Sequence, residues 1–105
     1  MRIIKAKQAN ISGDAVVVAI KDQVSTSLED EAVILNLKDG VYYGLDPVGA
    51  RVWGLLQQPQ SVGAIREILL QEYEVDPERC EQDLLRLLQE LAARGLIEVK
   101  DAQTA

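Results

Sequence analysis

The chain has 105 residues, of which 17 are Asp or Glu and 11 are Lys or Arg, so its formal net charge is -6. Hydrophobic residues make up 48% of the sequence, which is typical of one globular domain and not of a disordered chain. An acidic chain lacks the positive surface that binders of phosphate backbones need. It contains no histidine and one cysteine, so we expect no internal disulfide and no metal site built on these ligands. This composition favours a binding module over an enzyme.

The sequence shows no pattern typical of a membrane or export segment. No apolar run approaches the roughly 18 residues that a membrane helix needs. The basic residues near the N-terminus are not followed by the apolar core of a signal peptide. With no disulfide framework, we expect a cytoplasmic protein.

The first half of the chain contains short, β-branched segments typical of strands. Ala32–Leu37 and Val41–Leu45 flank the turn Lys38-Asp39-Gly40, and Asp-Gly is a strong hairpin signal. Ala15–Ile20 and Val24–Leu28 are both candidates for the first strand of the same sheet. The pattern leaves the choice between these two segments open.

The second half has the 3.6-residue periodicity of helices. Each of three predicted helices begins at a polar residue that can cap the first turn: Asp46, Ser61 and Asp76. We expect the first helix to end near Gln58, the second to reach Tyr73, and the third to end near Arg94 with Gly95 as its C-cap. The apolar segment Leu96–Val99 either adds a strand or covers the core.

The order of these elements indicates an α+β fold. A small antiparallel three-stranded sheet followed by three helices is typical of a winged-helix-turn-helix-like domain. We predict a single domain over residues 1–105, with its core over about residues 15–99 and a flexible tail over residues 100–105. A sheet this small is not stable alone in water and has to pack on the helices.

Cys80 is the first candidate for chemistry. It lies near the start of the third predicted helix, where the helix dipole can lower the pKa of a thiol. It shares a helix face, however, with Leu84, Leu87 and Leu91, and the chain has no histidine to activate a thiolate. We therefore predict a buried, structural cysteine.

Acidic residues cluster around the start of the third predicted helix. They are Glu72, Glu74, Asp76, Glu78, Glu81 and Asp83. The segment contains no glycine and does not match a calcium loop, and acids are favourable at a helix N-terminus for dipole reasons alone. In winged DNA-binding proteins the last helix meets phosphates with Lys or Arg. We therefore expect a solvated face that binds neither metal nor nucleic acid.

The stretch Asp39–Leu56, which reads DGVYYGLDPVGARVWGLL, resembles a hallmark stretch of the PqqD-like family. The hallmark is a strand ending in Tyr and Leu, an Asx-Pro helix start, and an aromatic residue in the first helix, here Trp53. Further matching segments are Ser61–Ile65, Tyr73, Asp83–Leu85 and Leu91–Ile97. The resemblance covers about Val24–Val99, and the first 14 residues match no part of the pattern.

The resemblance implies a non-catalytic RiPP recognition element, which binds the leader segment of a ribosomally made precursor peptide without a cofactor or metal. The form Tyr-Gly-Leu-Asp-Pro is most similar to the lasso-peptide branch. The implied partners are the leader segment, a separate transglutaminase-like leader peptidase that receives it, and a cyclase, with no membrane. Two alternatives stay open: a peptide chaperone for a radical enzyme in pyrroloquinoline quinone biosynthesis, and a winged-helix regulator.

The resemblance also implies where the leader binds, as an added strand on the edge of the third strand of the sheet, packed against the third helix. The predicted peptide-binding residues are Val41, Tyr42, Tyr43, Gly44 and Leu45 on the strand and Glu78, Glu81, Leu85, Leu88 and Ala92 on the helix. Gly44 would let a guest backbone approach closely, and Leu85 and Leu88 would form pocket walls. Glu78 and Glu81 would pair with basic leader residues, and Trp53 would pack in the core.

Overall fold

The computed structural model describes Ile11, residues 13–28 and residues 31–100. In chain order, its elements are β1 (Val16–Ala19), β2 (Gln23–Leu28), β3 (Glu31–Asn36), β4 (Tyr42–Leu45), α1 (Pro47–Leu55), β5 (Gln60–Ser61), α2 (Val62–Glu72), α3 (Pro77–Ala93) and β6 (Ile97–Lys100). Residues 101–105 of the predicted tail lie outside the described residues, whereas Lys100 ends β6.

The strands form two three-stranded antiparallel sheets, β2-β3-β4 and β5-β1-β6. The α+β prediction is confirmed, and the sequence-based expectation of one sheet is corrected to two. The later candidate segment forms β2 and pairs with β3, while the earlier one forms β1. The C-terminal apolar segment adds a strand beside β1, with Val99 opposite Val17.

The predicted hairpin is formed by β3 and β4, with Ile34 opposite Tyr43. Asp39 Oδ1 accepts a hydrogen bond from the Val41 amide at 3.0 Å across the turn. Gly40 adopts a φ of 71°, a conformation that side chains with a Cβ disfavour. The turn residues therefore account for the reversal of the chain between β3 and β4.

The helices begin at the predicted caps. The capping side chains accept hydrogen bonds from backbone amides three residues on: Asp46 from Gly49 (2.8 Å), Ser61 from Ala64 (3.1 Å) and Asp76 from Arg79 (3.1 Å). α1 ends at Leu55, three residues before the predicted end, and α3 ends at Ala93. The C-cap of α3 is Arg94, and Gly95, at a φ of 73°, follows it one residue beyond the predicted position. None of the helices in the described ranges is long and apolar enough to span a membrane.

The core lies between the sheets and the helices. Its fully buried side chains include Val17, Ile34, Val52, Leu56, Ile65, Leu88, Leu91 and Leu96. The predictions that Cys80 and Trp53 are buried are confirmed. The predicted core face of the third helix is corrected at one position, because Leu88 is fully buried whereas Leu87 is only partly buried.

Candidate functional site

β4 is one of the two edge strands of its sheet, and its outer side has no neighbouring strand in the described part of the chain. The Asn36 amide donates to the Val41 carbonyl at 3.0 Å, which makes these two residues a hydrogen-bonded pair. Because such pairs alternate along an antiparallel ladder, Tyr43 and Leu45 also bond to β3. Tyr42 and Gly44 consequently direct their N–H and C=O groups away from the sheet. This edge can accept a further strand.

The two faces of β4 differ in exposure. Leu45 is buried and Tyr43 is half-buried on the inner face, toward α3. Tyr42 is 69% exposed on the outer face, and Gly44 is also exposed. A Cβ added at Gly44 would meet no atom within 4 Å, so the face beside this glycine is open.

A concave strip separates β4 from α3, and we call it the β4–α3 groove. Its volume is about 210 Å³, and it is lined by Tyr43, Gly44, Leu45 and Asp46 on the strand side and by Asp83, Arg86, Leu87 and Glu90 on α3. Leu87 supplies its apolar wall on the helix, flanked by charged side chains of both signs. Such a strip suits a peptide strand that carries both apolar and charged side chains.

The groove continues into a larger depression between α1, the end of α2 and the first half of α3. This depression has a volume of about 590 Å³ and shares Asp46, Asp83, Arg86 and Leu87 with the groove. Three exposed hydrophobic residues line it: Val48, Tyr73 and Val75. A peptide leaving the β4 edge toward α1 would therefore meet an apolar surface.

Tyr43 links β4 to α3. Its phenol donates to Glu90 Oε1 at 2.7 Å, and the Arg94 guanidinium lies 4.8 Å from the centre of its ring. Partial burial raises the pKa of Tyr43 to about 12, and the hydrogen bond to Glu90 and the charge of that carboxylate add to the shift. The contacts with Glu90 and Arg94 hold the Tyr43 side chain in place beside the groove.

A smaller depression of about 110 Å³ lies on the other side of Tyr43, toward the turn of the hairpin. It is lined by Asn36, Asp39, Val41, Tyr43, Arg94 and Leu96. The buried Asn36 donates to the Arg94 carbonyl at 3.2 Å and accepts from the Lys38 amide at 2.8 Å. It therefore ties the hairpin to the C-terminal end of α3. A lone amide side chain in the apolar run of β3 was the sequence signal for this role.

The predicted helix residues fall on the other shoulder of α3. Glu78 and Glu81 are exposed, and Leu85 and Ala92 are partly buried, but none of them lines the depressions beside β4. The prediction that Leu88 forms a pocket wall is wrong, because its side chain is fully buried in the core. Asp83, Arg86, Leu87 and Glu90 face β4 instead. Whether a peptide contacts Glu78, Glu81, Leu85 or Ala92 stays a prediction.

The groups of this site are suited to binding. The Cys80 thiol is buried, and burial raises its pKa, so the thiol is held in its unreactive protonated form. Across the described ranges, no cluster of three or more His, Cys, Asp or Glu residues could hold a metal ion. What the site offers is a hydrogen-bonding strand edge beside an apolar and charged groove.

Comparison with known proteins relates the same region to a protein family. The model of the family described as "Coenzyme PQQ synthesis protein D (PqqD)" matches residues 31–97, which include β4 and α3. A solved structure, "TbiB1 in Complex with the TbiA(beta) Leader Peptide", is similar with a TM-score of 0.72 and 38% sequence identity, over 77% of this chain and 94% of that chain. No curated protein matches the chain.

Proposed function

The chain belongs to the PqqD family, and from this premise we propose that it binds the leader segment of a ribosomally made precursor peptide at the free edge of β4. The observation that carries the proposal is the outward direction of the Tyr42 and Gly44 N–H and C=O groups, beside the β4–α3 groove. The similar protein TbiB1 is described in complex with a leader peptide.

Strand addition assigns separate roles to the backbone and the side chains of this site. Main-chain hydrogen bonds to Tyr42 and Gly44 supply affinity that depends little on the guest sequence. The guest side chains that point inward lie over the β4–α3 groove, where Leu87 and the ring of Tyr43 offer apolar contact. Arg86 is positive and Asp83 and Glu90 are negative, so the groove carries charges of both signs. These charges set the register of the guest strand more than its affinity.

We also propose that the guest is the leader of a lasso precursor and that the chain delivers it, in the cytoplasm, to a separate transglutaminase-like leader peptidase, with a cyclase acting afterwards. The support is the 38% identity to TbiB1, which holds the TbiA(beta) leader. In this role the chain contributes no catalytic group, consistent with the burial of its one thiol, Cys80.

A second candidate function is favoured by the description of the matching family, which names coenzyme PQQ synthesis. In that role, the same strand edge would hold a precursor peptide for a radical enzyme. The neighbouring genes distinguish the two: a peptidase and a cyclase support the lasso role, and a radical enzyme supports the other.

Two substitutions at one residue test strand addition. Gly44→Pro removes an amide that points at the free edge, whereas Gly44→Ala keeps that amide and places its Cβ in open space. We expect Gly44→Pro to weaken leader binding by about tenfold or more, because one hydrogen bond to the leader is lost and the strand is locally distorted. Gly44→Ala should bind the leader nearly as tightly as the parent chain does.

The measurement is fluorescence polarisation with a labelled leader segment of the precursor encoded beside this protein, and a scrambled peptide as control. Circular dichroism checks that both variants are folded. Equal affinity of the leader and scrambled peptides for the parent chain would refute leader binding. Equal affinity of the leader for the two Gly44 variants would place the leader elsewhere.

A further inference from the structure

The outer face of the β2-β3-β4 sheet carries an apolar row that the groove does not use. The register aligns Val24, Leu35 and Tyr42 side by side across the three strands. Leu37 continues this face one residue beyond β3, where its amide donates to the Asp22 carbonyl at 3.1 Å. Val24, Leu37 and Tyr42 are 55%, 54% and 69% exposed. We call this surface the outer apolar row.

The row is distinct from the groove and almost uncharged. Of the seven large hydrophobic residues exposed in the described ranges, Val24, Leu37 and Tyr42 lie on this row, and the other four line the depressions of the inner side: Val41, Val48, Tyr73 and Val75. Within the described positions of the three strands, the outward-facing residues include one charged side chain, Glu31. An apolar face with so little charge, on a chain of net charge -6, is typical of a protein-binding surface.

We propose that the outer apolar row is a second protein-binding surface, and that its occupant is the enzyme that processes the peptide bound at β4. This inference rests on the proposed function. Tyr42 belongs both to the row and to the edge strand, so an outward side chain of a guest strand would lie about 5 Å from it. A protein that covers Tyr42 must therefore also contact the guest. A partner that is complementary to the outer apolar row has an apolar surface of low charge.

By itself the face is too small for a stable interface with any partner, but the processing enzyme, unlike a second copy of the chain, would also bind the guest as its substrate. Three strands about 4.8 Å apart and about five residues long present on the order of 240 Å². A stable interface needs about 800 Å² from each partner, and two copies would also bring together like net charges. An added guest strand widens the same face by one strand. The processing enzyme would consequently bind the loaded protein better than the empty one.

The experiment separates docking on this row from leader binding. Val24 lies two strands away from the β4 edge, so Val24→Lys places a charge in the row without touching the groove. Leu37→Ser is a second variant, outside the strands. With the leader peptidase of the same system and its precursor, we expect each variant to lower the protein-dependent cleavage rate by about tenfold. Leader affinity, measured by fluorescence polarisation, is expected to stay within about twofold of the parent value.

The matched control is Gln82→Lys, which adds the same charge on the exposed side of α3 and should keep the parent rate. Parent-like cleavage with both row variants would overturn the inference, as would a peptidase that the parent chain does not stimulate while it binds the leader. A dimer in light scattering that Val24→Lys dissociates would assign the row to a second copy instead. Failure of the parent chain to bind any leader would count against the proposed function itself.

Discussion

Tyr43 and Glu90 join the edge strand β4 to the C-terminal half of α3 through a hydrogen bond of 2.7 Å. Arg94, one helical turn after Glu90, lies over the same tyrosine ring at 4.8 Å. The linked side chains lie between the β4–α3 groove and the smaller depression near the hairpin turn. The distance between the two walls that would hold a guest strand therefore depends on this contact.

Removing the phenol hydroxyl tests the contribution of this contact to stability. We expect Tyr43→Phe to lower the free energy of unfolding by about 0.5–1.5 kcal/mol, the usual value of one hydrogen bond. Tyr42→Phe is the matched control, because Tyr42 is highly exposed and points outward. Urea denaturation measures both variants. Equal losses in the two would show that the bond to Glu90 contributes nothing particular.

The raised pKa of Tyr43 predicts a change at high pH. The phenol has a pKa of about 12 in the folded chain, against the ordinary value of 10.0. Its protonated form thus stabilises the fold fully below pH 10, and this contribution is lost as the pH rises toward 12. We expect a late phase of tyrosinate absorbance near pH 12 that Tyr43→Phe removes. A titration of this variant identical to that of the parent would contradict the assignment.

The elements that sequence reasoning identified depend on contacts between near neighbours. Asp39 and Gly40 shape the hairpin turn, and Asp46 and Asp76 cap helices through amides three residues away. These interactions require no knowledge of the rest of the chain. Hence the hairpin and all three helix starts could be predicted.

The features that sequence reasoning missed depend on distant contacts. The second sheet pairs Val17 with Val99, and nothing local shows that these segments meet. The periodicity of α3 identifies an apolar face with two shoulders, but which shoulder faces β4 depends on how the helix packs. For this reason the sequence predicted Leu85 and Leu88 as the walls of the peptide pocket, whereas in the structure Leu87 lines the groove and Leu88 is buried.

The two glycines in α1 should respond to alanine in opposite ways. A Cβ at Gly54 would meet nothing within 4 Å, so Gly54→Ala should stabilise the fold by about 0.5–1 kcal/mol through helix propensity. A Cβ at Gly49 would lie 3.1 Å from Asp46 Oδ1 and 3.1 Å from Leu45 Cδ2. Because this crowds both the helix cap and a core side chain, we expect Gly49→Ala to destabilise. The midpoint of thermal unfolding of each variant, compared with that of the parent chain, tests both expectations. A higher midpoint for Gly49→Ala would show that Asp46 and Leu45 can move aside to accept the Cβ.

Two leucines on α3 test which shoulder of the helix forms the peptide-binding wall. Leu87 lines the β4–α3 groove and the larger depression, whereas Leu85 lines neither, although both side chains are partly buried. Truncating Leu87 removes apolar surface that a bound leader would cover, which corresponds to about tenfold in affinity. We therefore expect Leu87→Ala to weaken leader binding by that amount and Leu85→Ala to leave it nearly unchanged.

Leader titration by fluorescence polarisation gives the comparison, and urea denaturation shows whether the two leucine variants lose similar stability. Amide exchange with and without leader provides an independent measurement. Protection should appear at Tyr42 and Gly44, whose amides point to the free edge, more than at Tyr43, whose amide already bonds to β3. A loss of affinity confined to Leu85→Ala would return the wall to the opposite shoulder of α3. Leader-dependent protection centred on α2 would place the leader away from β4 altogether.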